Sequence, residues 1–126
     1  TINSLAASDY FFVPVSAEYL PMVGIKSLLT TVTQVKGINP SLKNLGFLLT
    51  MVDKREGISA DIEKVLRTNF KNEVFNSTIR INTKLKSCPA EQKTIFDVEG
   101  KKGKSVVEYN AVCREILKRV RGKSGN

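Results

Sequence analysis

Leu48-Leu49-Thr50-Met51-Val52-Asp53-Lys54-Arg55 is an apolar run that breaks off into a charged loop. About one strand–helix–strand repeat upstream lies a second run, Tyr10-Phe11-Phe12-Val13-Pro14-Val15. Two buried strands joined by a helix imply a parallel sheet, because parallel neighbours need a long crossover between them. In open parallel sheets the working groups sit on the loops beyond the strands' carboxyl ends. Those loops are basic here, so this edge is expected to meet something negatively charged.

Working outward, residues 10–15 read as a strand, with Pro14 marking its end because proline cannot donate to a ladder. Met22, Ile25, Leu28, Leu29, Val32 and Val35 recur at helical steps and predict a helix over 17–36. Gly37 and the Asn39-Pro40 pair close it. Residues 45–52 carry no polar alternation, so both faces of that strand should be covered. After a loop at 53–58, Ser59 reads as the N-cap of a helix over 59–70, with Asp61 and Glu63 in its first turn and Ile62, Val65, Leu66 and Phe70 buried. A third strand is expected at 74–81 and a loop at 82–94. A lysine- and glycine-rich link leads into a last helix over 104–121 that buries Val112, Cys113, Ile116, Leu117 and Val120. Residues 1–121 form one unit on this reading, and 122–126 a flexible basic tail. There is no internal repeat. The fold class is α/β: a parallel sheet of about three strands flanked by helices, an incomplete P-loop NTPase-like, Rossmann-like fold. So small a sheet leaves long unpaired edges that invite another chain.

Composition narrows the chemistry. The chain has 126 residues, enough for one domain, and its 41% hydrophobic content fills a mostly aliphatic core, since there is no Trp. There is no His, which removes His-based triads, metal sites and acid–base catalysis together. Cys88 and Cys113 form no zinc pattern and read as reduced cytosolic thiols. No catalytic and no metal-binding residue is assigned. No apolar run approaches the ~20 residues of a membrane span. The start, Thr1-Ile2-Asn3-Ser4-Leu5, does not read as a secretion signal and begins as though cut from something longer. Net charge is +8 and lopsided: residues 1–52 hold three basic and two acidic side chains, and 53–126 hold the other seventeen and ten. Such a surplus points to a polyanion, most often nucleic acid.

Four blocks then carry a resemblance: Ser4-Leu5-Ala6-Ala7-Ser8-Asp9; Val13-Pro14-Val15 with Glu18-Tyr19; Leu48 to Arg55; and Ile79 to Pro89. In order and spacing the chain resembles the ParA/Soj family of chromosome and plasmid partition ATPases, over its C-terminal half only. The family's opening loop, K-G-G-x-G-K-T-[ST], does not occur. Gly100-Lys101-Lys102-Gly103-Lys104-Ser105 has the Gly-Lys-Ser ending but the wrong glycine spacing and no buried strand before it. The Walker B aspartate would lie before residue 1, so this chain alone should not hydrolyse ATP.

The resemblance implies further roles. In the family an ATP-bound dimer grips DNA without sequence preference, through basic residues on loops after the strands. Two such positions fall on Arg55 and Lys84, and Lys86 lies beside the second. Where the family reads I-P-R-N-V-R-L-S-E-A-P, this chain reads Ile79-Arg80-Ile81-Asn82-Thr83-Lys84-Leu85-Lys86-Ser87-Cys88-Pro89, losing the proline and the first arginine. Thr50, Met51 and Asn82 would line the adenine site. ATP and Mg²⁺ are the full-length family's cofactors, with none expected in this chain. The implied partners are DNA, a second copy or full-length relative as dimer mate, and a ParB-like protein, with no membrane. The implied location is the cytoplasm, on the nucleoid. The rival reading is a catalytically inactive ParA-like adaptor or interaction module. A MinD-like membrane ATPase fits less well, because Arg121-Gly122-Lys123-Ser124-Gly125-Asn126 has no large apolar residue for an anchor.

Overall fold

Three strands run parallel in the order β1-β2-β3: β1 Tyr10–Ser16, β2 Lys43–Val52 and β3 Val74–Arg80. This computed structural model describes residues 1–18 and 22–124; Tyr19, the side chains of Met22 and Ser124, and the tail end Gly125-Asn126 lie outside the described residues. The helices are α1 Ile2–Ala6, α2 Met22–Val35, α3 Gly57–Phe70, α4 Thr83–Glu91, α5 Ile95–Glu99 and α6 Lys104–Ser124, with a 3₁₀ turn at Lys71–Glu73.

The central strand is covered on both faces, as its unbroken apolar sequence predicts. Phe47, Leu49 and Val52 pack with Ile25 of α2 and Ile62 and Leu66 of α3. Leu45 and Leu48 pack on the other side with Phe75, Ile79 and Val112 of α6. Phe47 and Phe75 are fully buried; each such ring contributes roughly 1.5–3 kcal/mol. Strict alternation would put Leu45 with Phe47, but a bulge intervenes. The β1–β2 register skips Leu45 between Phe11 and Phe12, and Gly46 takes φ +129. A bulge inserts one residue and flips what precedes it. No side chain fits at Gly46, since a Cβ there would sit 2.0 Å from the Glu73 carbonyl oxygen.

Several boundaries depart from expectation. Strand β1 runs two residues past Pro14, because β1 is an edge strand where a missing N–H is harmless. Helix α2 starts at Met22 rather than 17: the Ala17 amide still bonds to the Thr50 carbonyl at 2.8 Å, holding residue 17 to the sheet. Ser59 is not an N-cap. Helix α3 begins at Gly57, and the buried Ser59 Oγ instead accepts the Asp53 amide at 3.1 Å. Asp61 and Glu63 therefore fall beyond the first turn, and Glu63 pairs with Arg67. Val65 is exposed. The expected loop at 82–94 is mostly helix α4, started by Asn82, whose side chain accepts the Lys84 amide. Pro89 lies near the end of α4, where its missing N–H removes one bond late in the helix. Helix α6 turns a different face to the sheet than its apolar residues suggest: Cys113 and Leu117 are exposed. It also continues three residues beyond 121, and the Lys123 carbonyl accepts Lys43 Nζ at 2.6 Å.

The β2–β3 register shifts between Phe47 and Leu49. The amides of Asn76 and Ser77 turn instead to the Glu115 carboxylate, at 2.9 and 2.8 Å. Burial pushes the Glu115 carboxyl up, but those two amides and Arg119 outweigh it and hold it below its usual 4.5. A folded value below the unfolded one means the unfolded chain binds the extra proton. The stabilisation is therefore complete above 4.5 and is lost as pH falls through the lowered folded value. Melting temperature should drop with pH in that window, and Glu115→Gln should flatten the dependence; equal slopes in both proteins would reject this role.

Candidate nucleic-acid interface

All three strands point their carboxyl ends to one edge, and the loops leaving β2 and β3 meet there. After β2, Asp53 organises a tight turn: its Oδ1 accepts both the Arg55 amide and Arg55 Nε, at 3.0 and 3.1 Å, and Oδ2 accepts Nη2 at 3.2 Å. The bond from the Arg55 side chain, then that from its amide, holds the Asp53 carboxyl below its ordinary value. Arg55 is otherwise in solvent, its side chain 89% exposed.

After β3, Asn82 anchors the start of α4, which presents Lys84 and Lys86 to solvent. The Asn82 amide group donates to Glu99 Oε2 at 2.6 Å and to the buried Ser105 Oγ at 2.7 Å. Glu99 Oε1 accepts the Ser105 and Val106 amides at 3.0 and 3.3 Å, capping α6. Burial pushes the Glu99 carboxyl up, but these bonds and the Lys84 charge outweigh it, so it is held below its usual value. Arg80 is committed to Glu108, its Nε donating to Oε2.

A cleft of about 590 Å³ opens between these parts, lined by Arg55, Arg80, Lys84, Lys102 and Lys104, with Glu99 and Glu108 in its walls. Arg55 and Lys84 thus face the same space. Lys86 lines an adjoining pocket of about 220 Å³, together with Thr50, Met51 and Asn82. Among the described residues, Lys84, Lys102 and Lys104 form no ion pair, so their ammonium groups remain available to an anion. Sequence reading missed Lys102 and Lys104. They sit in a segment whose Gly-Lys-Ser ending suggests only a phosphate loop, and the fold brings it beside the β2 and β3 tips.

A nucleotide's phosphates do not fit the Gly100–Ser105 segment. The first free amides of α6 are taken by the Glu99 carboxylate, and a side chain on Gly103 would sit 2.3 Å from Glu99 Cβ. The described residues include no cluster of His, Cys, Asp or Glu able to hold a metal ion. Thr50, Met51 and Asn82 are brought together in the small pocket, where Asn82 already spends its amide on Glu99, Ser105 and Lys84. No helix among the described residues is long and apolar enough to cross a membrane.

Comparison with known proteins agrees with this architecture. The chain is 39% identical to the chromosome partitioning protein ParA of Myxococcus xanthus, over 98% of its own length and 44% of that protein. It is 36% identical to the chromosome-partitioning ATPase Soj of Thermus thermophilus, over 95% of its length and 48% of that protein. It therefore spans just under half the length of these curated relatives. No family model matches. Among solved structures, cobyrinic acid a,c-diamide synthase from Mycobacterium smegmatis superposes with a TM-score of 0.71 at 26% identity, over 98% of this chain and 43% of that one. A second structure of that enzyme, with bound ADP and magnesium, matches 55% of this chain and 29% of that one at 34% identity, with a TM-score of 0.50. Parallel sheet, flanking helices and alignment of nearly the whole chain to partition proteins lead to one assignment: the chain belongs to the ParA/Soj family.

Proposed function

We propose that this chain is the C-terminal portion of a ParA/Soj DNA-partition ATPase and supplies its sequence-independent DNA grip. The meeting of Arg55, Lys84, Lys102 and Lys104 around one cleft at the carboxyl edge of the sheet carries this reading. Lysines suit such a grip, because an ammonium is a point charge that meets phosphate without fixing the direction of approach. Phosphate contacts position a protein on a duplex and carry no base information. Lys86, two residues beyond Lys84 on α4, would extend the same basic edge toward the second pocket.

ATP and Mg²⁺ belong, in this reading, to the whole protein rather than to this portion, because Glu99 fills the α6 terminus. The whole protein would work as a dimer on the nucleoid in the cytoplasm, answering to a ParB-like partner. A second reading, an adaptor that pairs with itself or a full-length relative, is favoured by the outer edge of β1, which has no strand beside it among the described residues.

Binding to random-sequence duplex DNA, followed as salt rises, tests the reading. Each neutralised phosphate releases counterions, so affinity should fall by about a hundredfold between about 50 and about 200 mM salt. Scrambling the DNA sequence should change nothing. A folded chain that binds no DNA, or binds it independently of salt, would leave the adaptor reading in possession.

A further inference from the structure

Glu99 is an oddity in a cationic cleft. A carboxylate among Arg55, Lys84, Lys102 and Lys104 repels the polyanion that the cleft is read to bind. We propose that Glu99 is a positioning residue: one carboxylate clips the start of α4 to the start of α6, so that Lys84 and the Lys102–Lys104 segment face the same phosphate track. The proposal rests on the DNA-binding reading.

Both oxygens are in use. Oε1 holds the Ser105 and Val106 amides of α6. Oε2 holds Asn82 Nδ2, and Asn82 Oδ1 in turn holds the Lys84 amide at 3.0 Å. Ser105 closes the ring of hydrogen bonds, its fully buried hydroxyl accepting from the same Asn82 nitrogen. Gly103 lies against Glu99, where a methyl group would collide with its Cβ, Cδ and Oε1. The Lys84 amide does not touch Glu99. It is reached only through Asn82, so coupling between them is a property of the clip rather than of a direct bond.

The two possible roles of Glu99 predict opposite signs. If it mattered only as a charge, Glu99→Ala would tighten DNA binding. As a clip its loss should weaken binding by about fivefold to tenfold and make the salt dependence shallower by about one phosphate or more. Glu56→Gln provides the charge control: Glu56 is exposed beside Arg55 and acts on it through charge alone, so removing that charge should tighten binding. Glu99→Gln keeps one oxygen for the α6 amides but turns an NH₂ toward Asn82. It should fall between wild type and alanine, and it serves if the alanine variant fails to fold. Amide hydrogen exchange gives the independent readout: Glu99→Ala should accelerate exchange at Ser105 and, through Asn82, at Lys84, with the β2 core unchanged. Tighter DNA binding by both Glu99→Ala and Glu56→Gln, or exchange at Lys84 indifferent to Glu99, would overturn the proposal. Were wild type to bind no DNA, the functional reading would fall, while exchange at Lys84 would still decide whether the clip exists.

Discussion

Arg119→Ala is expected to destabilise this chain by about 3–5 kcal/mol, the range for breaking a largely buried, hydrogen-bonded ion pair. Arg119 lies on the inner face of α6, its side chain only 19% exposed. Its Nη1 donates to the Leu45 and Asn72 carbonyls at 3.0 and 3.2 Å, and Nη2 to the Val74 carbonyl at 3.1 Å. Nε and Nη2 reach Glu115 Oε2 at 3.0 and 2.9 Å, and the guanidinium lies 4.5 Å from the centre of the Phe75 ring. One side chain therefore ties together the beginnings of β2 and β3 and the carboxylate that holds the β3 amides. The bulge at Gly46 makes room for it: a Cβ there would lie 3.1 Å from Arg119 Nη1. Removing the guanidinium strands buried carbonyls and an ionised Glu115, and an unmade buried bond costs more than a made one contributes. Lysine should rescue little, because an ammonium cannot span three carbonyls and a carboxylate as a planar fork does. Urea unfolding checks the value, and the melting temperature should fall by roughly 10–20 °C. A loss below about 1 kcal/mol would show that these bonds are ornaments of the fold rather than its fasteners.

Arg119 also marks where sequence reading stops. The unbroken apolar run at 45–52 announced a doubly covered parallel strand because burial on both faces leaves no polar alternation. The phase of α6 was not readable in the same way. Counting Arg119 as polar turns the predicted inner face toward Cys113 and Leu117, whereas the long arginine stem lies along apolar surface and its head finds carbonyls that only tertiary structure supplies. Helix α4 was hidden by Pro89 and the lysines around it, which suggest a loop, although Asn82-Thr83-Lys84 is a legible N-cap. The short α5 carries a capping box from Thr94 and Asp97, legible in Thr94-Ile95-Phe96-Asp97 once a helix is looked for there. At the candidate site, Arg55 and Lys84 were reached through resemblance. Lys102 and Lys104 were not, because glycine spacing asks whether a segment cradles a nucleotide, and theirs does not. That they stand beside Lys84 follows from Glu99 and Asn82, a hydrogen bond across 17 residues that no local pattern encodes.

Replacing Arg55, Lys84, Lys102 and Lys104 together by alanine should nearly abolish the salt-dependent component of DNA binding. Each phosphate that is no longer neutralised lowers the slope of log affinity against log salt by about 0.9, so four should lower it by about 3–4 and cut affinity at low salt by about a hundredfold or more. The fold should survive, since all four side chains are exposed and surface changes cost within about 0.5 kcal/mol each. Charge alone could mimic this outcome, because the substitutions lower the formal net charge of +8 by four. A matched variant settles the point: Lys26, Lys36, Lys64 and Lys118 are equally exposed and lie outside the cleft, and replacing them removes the same charge. A bulk field would weaken binding equally in both proteins and fade with screening over a Debye length of about 10 Å. A built phosphate track would lose its slope only in the first. Equal slopes in the two variants would mean that the cleft is a by-product of a basic surface, and that the convergence of the strand-tip loops has another purpose.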